Sequence, residues 1–411
     1  KPFGFKFGLT PPGRSVFSPY QYIGLMALRA VVLLLLATAI RALILHKDVN
    51  EKQDSEYNVD LYNTEPWKVE INLDLPPEDR WNDIIHDHHA QLVDMATKCD
   101  QIFDAYGRDR LNRWFEAAHV PEVYKREMQG IVKSANTENV TYECLLMNQL
   151  FYETGFQRYD DKPQEMCSGV LAAMPNGTVI HGRNADWGHD YGSTAAGALD
   201  VTFTRGGKPV YKAAMNLAQV GIHSAMSIGG WSFEQNTRGV GLDPDSNLRW
   251  AEKGGHSFMF VARQLLDEGL SYADALEQFA SLKWNSPQYF IIAGAGPYEG
   301  AVVTVDPAVS YQDVEVLNPH NRQIMYQLNS DAWLHEQSDR DKQALRFESA
   351  FDKHWVGITE QSIWNLITTE PLYNGGNVFT FLAIPASGYW KYIVHPEGTL
   401  AESKMAKLAK A

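Results

Sequence analysis

Cysteine is scarce in this chain, which has 3 cysteines among 411 residues. Small domains that depend on disulfides use many more, so a disulfide-stapled scaffold is excluded. Cys99 and Cys144 fit either one disulfide in an oxidising lumen or two buried free thiols, and the sequence leaves both open. Cys167 is the remaining cysteine, and charged and polar residues follow it closely along the chain.

Basic residues are also fewer than acidic ones. The chain has 36 Lys and Arg against 50 Asp and Glu, which gives a net charge of −14. Nucleic-acid-binding proteins carry basic surfaces, so we expect no nucleic-acid partner. Histidines cluster at residues 86–89, but no cysteine or third ligand at a suitable spacing completes a metal site. We therefore expect neither a metal nor a cofactor.

The N-terminal segment, residues 1–47, contains a stretch rich in Leu, Ile, Val and Ala at residues 20–45. About twenty apolar residues suffice to span a bilayer, although Arg29 and Arg41 are costly there unless they snorkel or pair. The pattern predicts a transmembrane helix and a protein anchored in an organelle membrane. An endomembrane lumen and the mitochondrial inner membrane are not distinguished. Residues 48–66 are polar and charged, as is typical of a linker.

A turn signal stands at Asn176-Gly177, between apolar runs at residues 170–174 and 178–180. This combination is the strongest short-range indication of a two-residue β-hairpin turn. The sequence therefore predicts that the chain after Cys167 forms an antiparallel hairpin.

The register of that hairpin follows by counting from the turn. Val170 then faces Arg183, and Cys167 faces Asp186. Strict alternation would place Arg183 and Asp186 on opposite faces, so we expect a bulge near Gly182.

Cys167 is a candidate nucleophile, and a thiol attacks well only as a thiolate. Arg183 is the cation that the hairpin brings near it, whereas His181 fits a packed strand residue better than a base. If Cys167 became a chain terminus, its own α-amino group, with a pKa of about 7.7–8.0, would serve as the base. The competing interpretation is that Cys167 is a small buried apolar residue.

The rest of the chain predicts an α+β protein. Helical periodicity runs through residues 80–149, and two more helices are indicated at residues 257–266 and 271–282, the second with Ser271 as its N-cap. Short β-type runs stand at residues 201–203, 210–211, 289–292 and 301–305. Strands in hairpins with helices grouped between them favour a layered α+β fold.

Several motifs together resemble one family. Residues 167–168 (Cys-Ser) followed by 181–186 (His-Gly-Arg-Asn-Ala-Asp) resemble the N-terminal-nucleophile hydrolases of the acid ceramidase and N-acylethanolamine acid amidase family. Further similar segments are an opening strand at 67–74, a Pro-Glu-x-Arg-Trp motif at 77–81, an Asn-containing loop at 329–333 and a closing strand at 378–385. The resemblance runs from about Trp67 to the last strands.

The resemblance implies a four-layer αββα fold and a chain that cuts itself between Met166 and Cys167. Residues 67–166 would form the N-terminal region and residues 167–411 the catalytic region. The implied activity is that of a cysteine amidase acting on fatty acyl amides of the N-acylethanolamine or ceramide type.

The resemblance also implies a role for each residue that matches a family motif. Cys167 would be the nucleophile and, through its freed amino group, the base. Arg183 and Asp186 would orient the thiol and the amine. Asn329 would donate to the oxyanion, and Arg340 would form a second charged wall. On spacing alone, Asn329 also fits a plain turn and Arg340 a solvated helix face.

Candidate substrate-binding residues are less specific. Glu234 stands where relatives carry an acidic residue before an Arg, but the spacing differs. Trp187 and Trp231 lie close to the motifs, although aromatic residues at such positions are more often core.

A second function remains open at this point. The chain would then be a non-catalytic subunit of a membrane complex, built on an inherited and uncleaved fold of this type. Joint retention of Cys167, Arg183, Asp186 and Asn329 favours the enzyme, because a scaffold has no need of them.

Overall fold

The computed structural model describes residues 66–97, 99–155, 167–186, 197–239, 241–309, 313–331, 341–342, 344, 357–369, 372–373 and 377–395. All of them belong to one compact unit, Tyr57–Ala411. The predicted transmembrane segment at residues 20–45 lies outside the described residues, as does almost all of the linker. Within the described ranges, no helix has both the length and the apolar character that a bilayer crossing requires.

The described strands form two sheets. Their bounds are β1 Trp67–Asn72, β2 Ser168–Ala173, β3 Val179–Asp186, β4 Ala198–Arg205, β5 Lys208–Asn216, β6 Ser224–Ser227, β7 Trp231–Thr237, β8 Gln288–Gly294, β9 Gly300–Val305, β10 Asp313–Val316, β11 Ile324–Gln327, β12 Asn377–Ile384 and β13 Tyr389–Val394. One sheet has the order β1-β4-β5-β6-β7-β8-β9-β10 and the other β11-β2-β3-β12-β13. Strand β1 pairs parallel with β4, and the other pairs are antiparallel.

The helices fall into an N-terminal group, a central group and one helix near the C-terminus. Their bounds are α1 Asn82–Asp87, α2 His89–Ala96, α3 Cys99–Tyr106, α4 Arg108–Ala117, α5 Glu122–Ala135, α6 Tyr142–Gln149, α7 Phe151–Thr154, α8 Pro244–Glu252, α9 Phe258–Glu268, α10 Tyr272–Ser281 and α11 Glu360–Ile367. A 3₁₀ turn at Pro77–Asp79 precedes them.

Several helices begin where the sequence supplies an oxygen to cap the first free N–H groups. The Thr141 hydroxyl accepts from the backbone N–H of Cys144 at the start of α6, and the Ser271 hydroxyl does the same for Asp274 at the start of α10. The predicted N-cap at Ser271 is therefore confirmed, and so are the helical region at residues 80–149 and the predicted strands, which lie within β4, β5, β8 and β9.

The two sheets pack face to face. Leu171 and Val179 from the smaller sheet share one buried cluster with Ile291 and Val302 from the larger sheet. The outer face of the larger sheet is covered by most of the helices, and the outer face of the smaller sheet by α11. The predicted α+β class is confirmed, and the face between the sheets is the one on which the candidate site lies.

Cys99 and Cys144 form a disulfide, with their Cα atoms 5.7 Å apart. The bond joins the start of α3 to α6, both of which precede Cys167 along the chain. It settles the alternative that the sequence left open, and it leaves Cys167 as a buried free cysteine.

Candidate active site

The β2–β3 hairpin has the predicted turn but a different register. Its loop has three residues, because Met174 pairs with Thr178 through a 2.9 Å bond and the N–H of Gly177 donates to the carbonyl of Met174 at 2.8 Å. Gly177 has φ +86°, a left-handed conformation that closes such loops and that glycine adopts without strain. The predicted two-residue turn is wrong by one residue.

This shift changes which residues face one another. Gly169, not Val170, is opposite Arg183, and Ser168 is opposite Asn184, so the predicted pairing of Cys167 with Asp186 is also wrong by one residue. The β2–β3 pairing continues without a register shift, so no bulge occurs at Gly182. Because Gly169 and Cys167 are two residues apart on the same side of the chain, Arg183 shares the inner face with Cys167. The one-residue correction thus removes the need for the expected bulge.

Cys167 and Arg183 are in direct contact. Nη2 of Arg183 lies 3.3 Å from Sγ of Cys167, and the cysteine is only 4% exposed. A thiolate formed here would lie against a guanidinium group in a site with little water, where opposite charges attract strongly.

Arg183 is fully buried, and three oxygens hold its guanidinium group. Nη1 donates to the carbonyl of His223 at 3.0 Å and to Oγ of Ser224 at 2.7 Å, and Nη2 donates to the carbonyl of Gln235 at 2.9 Å. These acceptors come from the start of β6 and from β7 in the larger sheet. The group that touches the thiol is therefore fixed by the opposite sheet.

Glu234 lies behind Arg183 and has no exposed surface. Its Oε2 is 3.8 Å from Nε of Arg183 and 3.5 Å from Nε2 of His181, whose other ring nitrogen bonds to Ser232 at 2.8 Å. Burial raises the pKa of Glu234 above its usual value, and His181 and Arg183 only partly offset that effect.

Gly169 makes room for this carboxylate. A Cβ atom at position 169 would lie 1.8 Å from Oε1 of Glu234, so a side chain there and the glutamate exclude each other. Packing against Glu234 thus explains why the Cys-Ser-Gly motif ends in glycine, which the sequence did not reveal.

Asp186 ends β3, where its side chain accepts a hydrogen bond from Nδ2 of Asn377 at the start of β12. Its backbone carbonyl lies 3.9 Å from the sulfur of Cys167. The structure thus brings Asp186 to the nucleophile, and the contact to the sulfur is made through the main chain.

Asn329 follows β11, which pairs with β2 so that Gln327 is opposite Gly169. Strand β11 ends at Gln327; if its register continued for two more residues, Asn329 would come level with Cys167. Its Nδ2 donates to the carbonyl of Thr237 at 2.9 Å. An amide NH₂ group has two hydrogens, and this bond uses one of them.

Of the remaining predicted residues, only Trp231 lies in the described part of the chain, and it is not brought to this site. Trp231 is fully buried on the outer face of the larger sheet, where it packs against Phe279. That face is turned away from Cys167, so Trp231 is a core residue and we do not retain it as a substrate contact. Arg340 and Trp187 lie outside the described residues.

Sequence reasoning missed His223, Ser224 and Gln235, the residues that hold Arg183. A signal was present nearby, because Ser232, Glu234 and Asn236 alternate with Trp231 and Phe233 along β7. Alternation of this kind indicates a strand with one polar and one apolar face, and the polar face of β7 is the one turned toward the hairpin.

Metal chemistry has no candidate site in the described part of the chain, where no group of three or more His, Cys, Asp or Glu side chains converges. The site instead combines a buried thiol, a fixed cation and an amide. Such a set suits nucleophilic attack on a carbonyl group, because the thiol forms the bond and the amide can donate to the developing oxyanion.

Comparison with known proteins gives consistent results. A family model described as the beta subunit of N-acylethanolamine-hydrolyzing acid amidase matches residues 64–120. N-acylethanolamine-hydrolyzing acid amidase of Caenorhabditis elegans is 26% identical over 325 residues, which is 78% of this chain and 89% of that protein. Acid ceramidase of Mus musculus is 23% identical over 348 residues, which is 79% of this chain and 85% of that protein.

A solved structure shows the same fold. The Caenorhabditis elegans N-acylethanolamine-hydrolyzing acid amidase ortholog superposes with a TM-score of 0.51 at 24% identity, covering 56% of this chain and 100% of that one. The motifs around Cys167, the family match and these relatives agree with one another. Together these findings support an N-terminal-nucleophile amide hydrolase of the acid ceramidase and N-acylethanolamine-hydrolyzing acid amidase type.

Proposed function

We propose that this protein is a cysteine amidase that cuts its own chain between Met166 and Cys167 and then hydrolyses fatty acyl amides of the N-acylethanolamine or ceramide type. The observation that carries the proposal is the 3.3 Å contact between the Cys167 sulfur and the buried Arg183 guanidinium. The relatives named above, an N-acylethanolamine-hydrolyzing amidase and an acid ceramidase, support this substrate class. We also assign the packed sheets and their covering helices to the four-layer αββα arrangement of these hydrolases.

The self-cleavage step uses the same thiol. Sγ of Cys167 attacks the carbonyl carbon of Met166, the peptide C–N bond breaks, and the nitrogen becomes the free amine of Cys167. Water then hydrolyses the thioester, which leaves Met166 with a carboxylate and restores the thiol.

In the hydrolysis of a substrate, the α-amino group of Cys167 accepts the thiol proton as sulfur attacks the amide carbon. Amines of this kind have a pKa of about 7.7–8.0, which suits a base that must later return the proton. The C–N bond breaks, the amine leaves with that proton, and a thioester remains. Attack by water releases the fatty acid and restores Cys167.

Other residues have supporting roles in the proposal. Arg183 stabilises the thiolate, and Asp186 orients the new amino group. Asn329 donates to the oxyanion, an interaction worth about 3–4 kcal/mol in a well-formed site. Arg340 places a second positive charge at the side of the active site. Glu234 is a predicted substrate-binding residue, but because its carboxylate is fully buried and lies 3.8 Å from Nε of Arg183, we assign it the role of supporting Arg183 instead.

The alternative of a non-catalytic membrane subunit is not retained. A scaffold gains nothing from a buried arginine held by three oxygens against a free thiol, because burying a charge is costly. Anchoring through residues 20–45 and a location in an organelle membrane remain predictions.

Intact mass spectrometry tests self-cleavage, with the protein incubated at neutral and at acidic pH. We expect a new fragment that begins at Cys167 in the unaltered protein and none in Cys167→Ala. Ser224→Ala, which removes one oxygen from Arg183 but keeps the thiol, is the matched control.

Hydrolysis is tested with an N-acylethanolamine and a ceramide that carry the same acyl chain, so that only the amine differs. Release of fatty acid from either amide should be lost in Cys167→Ala. A Cys167→Ala protein that hydrolyses both substrates at the unaltered rate would contradict the proposal.

A further inference from the structure

A second buried ion cluster lies beside the candidate site. Arg238 binds Asp331 with two parallel bonds, Nε to Oδ1 at 2.7 Å and Nη2 to Oδ2 at 2.9 Å, and its Nη1 donates to Asp306 at 2.7 Å. The hydroxyl of Tyr289 donates to Oδ1 of Asp331 at 2.6 Å. Asp331 is only 4% exposed and Arg238 only 7%.

The cluster joins the two sheets. Arg238 directly follows β7, Tyr289 lies on β8, and Asp306 directly follows β9, three neighbouring strands of the larger sheet. Asp331 comes from the chain after β11, the edge strand of the smaller sheet. Bidentate arginine–carboxylate pairs fix the relative orientation of the two side chains as well as their distance, because both groups are planar.

The chain segment held in this way is the one that carries Asn329. The C-terminal end of β7 holds it at two more points, since Asn236 donates to the carbonyl of Gln327 at 2.8 Å and the carbonyl of Thr237 accepts from Asn329 at 2.9 Å. The segment is therefore held on both sides of Asn329, at Gln327 through its backbone carbonyl and at Asp331 through its carboxylate.

A carboxylate buried at this position would be costly without its donors. Burial, together with the hydrogen bond to Asp331, raises the pKa of Tyr289, so the phenol remains a donor across the working pH range. Asp331 thus accepts three described bonds that all pull the 328–331 segment toward the larger sheet.

We propose that Arg238 and Asp331 are positioning residues, which hold the amide of Asn329 opposite Cys167 so that it can donate to the oxyanion of the acyl intermediate. This inference rests on the proposed amidase function. Neither residue contacts the reacting atoms. Their effect on the reaction passes through Asn329.

The first test is a double-mutant cycle with the ceramide and N-acylethanolamine substrates. Removal of one oxyanion donor lowers kcat by about 10²–10³, so we expect Asn329→Ala to lie in that range. Arg238→Lys keeps the positive charge but cannot form the bidentate pair with Asp331. It should lower kcat by about 10-fold to 10²-fold with little change in KM. In the Asn329→Ala background, Arg238→Lys should add little further loss. Fully multiplicative losses would overturn the proposal.

Arg113→Lys is the matched control, because Arg113 pairs with Glu252 on the surface and its side chain is 54% exposed. It should leave kcat unchanged. Tyr289→Phe removes one donor from Asp331 and keeps the ring, so it provides a milder variant if Arg238→Lys folds poorly. We expect a smaller loss of kcat that also disappears in the Asn329→Ala background.

A measurement that does not depend on activity separates this inference from the proposed function. Hydrogen exchange of the peptide that contains residues 328–331 should be faster in Arg238→Lys than in Arg113→Lys. Equal exchange in the two variants would overturn the positioning role. If the unaltered protein hydrolyses neither amide, the proposed function fails, while faster exchange in Arg238→Lys still supports the structural part of the inference.

Discussion

Nη2 of Arg183 lies 3.3 Å from the sulfur of Cys167, and the larger sheet supplies every oxygen that holds this guanidinium group in the described contacts. The nucleophile belongs to one sheet, and the partners of its cation belong to the other. Reactivity at Cys167 should therefore depend on how the two sheets pack.

Replacing Arg183 tests that dependence. Arg183→Met removes the charge and leaves the acceptors on Ser224, His223 and Gln235 without their donor. We expect alkylation of Cys167 by iodoacetamide at pH 6 to slow by about tenfold or more, because the thiolate loses its cation. Ser224→Ala keeps the cation and should have a much smaller effect. Equal rates in Arg183→Met and the unaltered protein would show that the contact has no electrostatic role.

A side chain at position 169 and the carboxylate of Glu234 should exclude each other. Gly169→Ala places a methyl group 1.8 Å from Oε1 of Glu234, which is impossible without movement. Overpacking of this kind lowers the free energy of unfolding by about 1–3 kcal/mol. Glu234→Ala should relieve the clash, so the double variant should be more stable than Gly169→Ala alone.

Chemical denaturation of the two single variants and the double variant measures this coupling. Glu234→Ala by itself is the control for loss of the buried carboxylate. If the double variant loses the sum of the two single losses, the clash with Glu234 does not limit position 169.

Glu153 should make the protein more stable in mild acid. Burial raises the pKa of this fully buried carboxyl from 4.5 to about 7, and the bond from Ser257 offsets burial only in part. The folded state therefore binds its proton more tightly than the unfolded state. The stabilising contribution of Glu153 to the free energy of unfolding is complete below pH 4.5 and is lost as the pH rises through about 7.

The measurement is the free energy of unfolding at pH 5 and at pH 8. Glu153→Gln should be less sensitive to this change than the unaltered protein, by at most roughly 3 kcal/mol. Glu143→Gln, at an exposed position of α6, is the matched control. An identical pH response in all three proteins would contradict the assignment to Glu153.

Self-cleavage before Cys167 should give two fragments that stay together without a covalent link. The chain has 3 cysteines, and its disulfide joins Cys99 to Cys144 within the first fragment. Across the cut, Glu127 of α5 binds Arg263 of α9 with both oxygens at 2.7 Å, and both side chains are fully buried.

Gel electrophoresis in denaturant, with and without reductant, should therefore show the same two fragments, whereas size exclusion without denaturant should show one particle. Glu127→Ala leaves Arg263 buried without this partner, a loss worth about 3–5 kcal/mol, and should promote dissociation of the cut protein. Fragments that separate only after reduction would point to a different cysteine pairing.

Much of the site was predictable from the sequence because the signals are local. Asn176-Gly177 between apolar runs predicts the hairpin, and the residues after Cys167 place a cation and a carboxylate on its second strand. Ser271 predicts the start of a helix because its hydroxyl caps an N–H three residues away. These features depend on residues that lie close together in the chain.

The α+β class, the hairpin and the presence of Cys167, Arg183 and Asp186 on it follow from the sequence alone, whereas the residues that hold Arg183 do not. The register depends on tertiary packing, because Gly177 closes a three-residue loop whose hydrogen bonds depend on how the flanking strands meet. Tertiary packing also decided which strands hold Arg183 and Asn329, and that Trp231 faces the helices. Such contacts join residues far apart in the chain, where strand pairing and side-chain packing over both sheets select one arrangement from several that local preference allows.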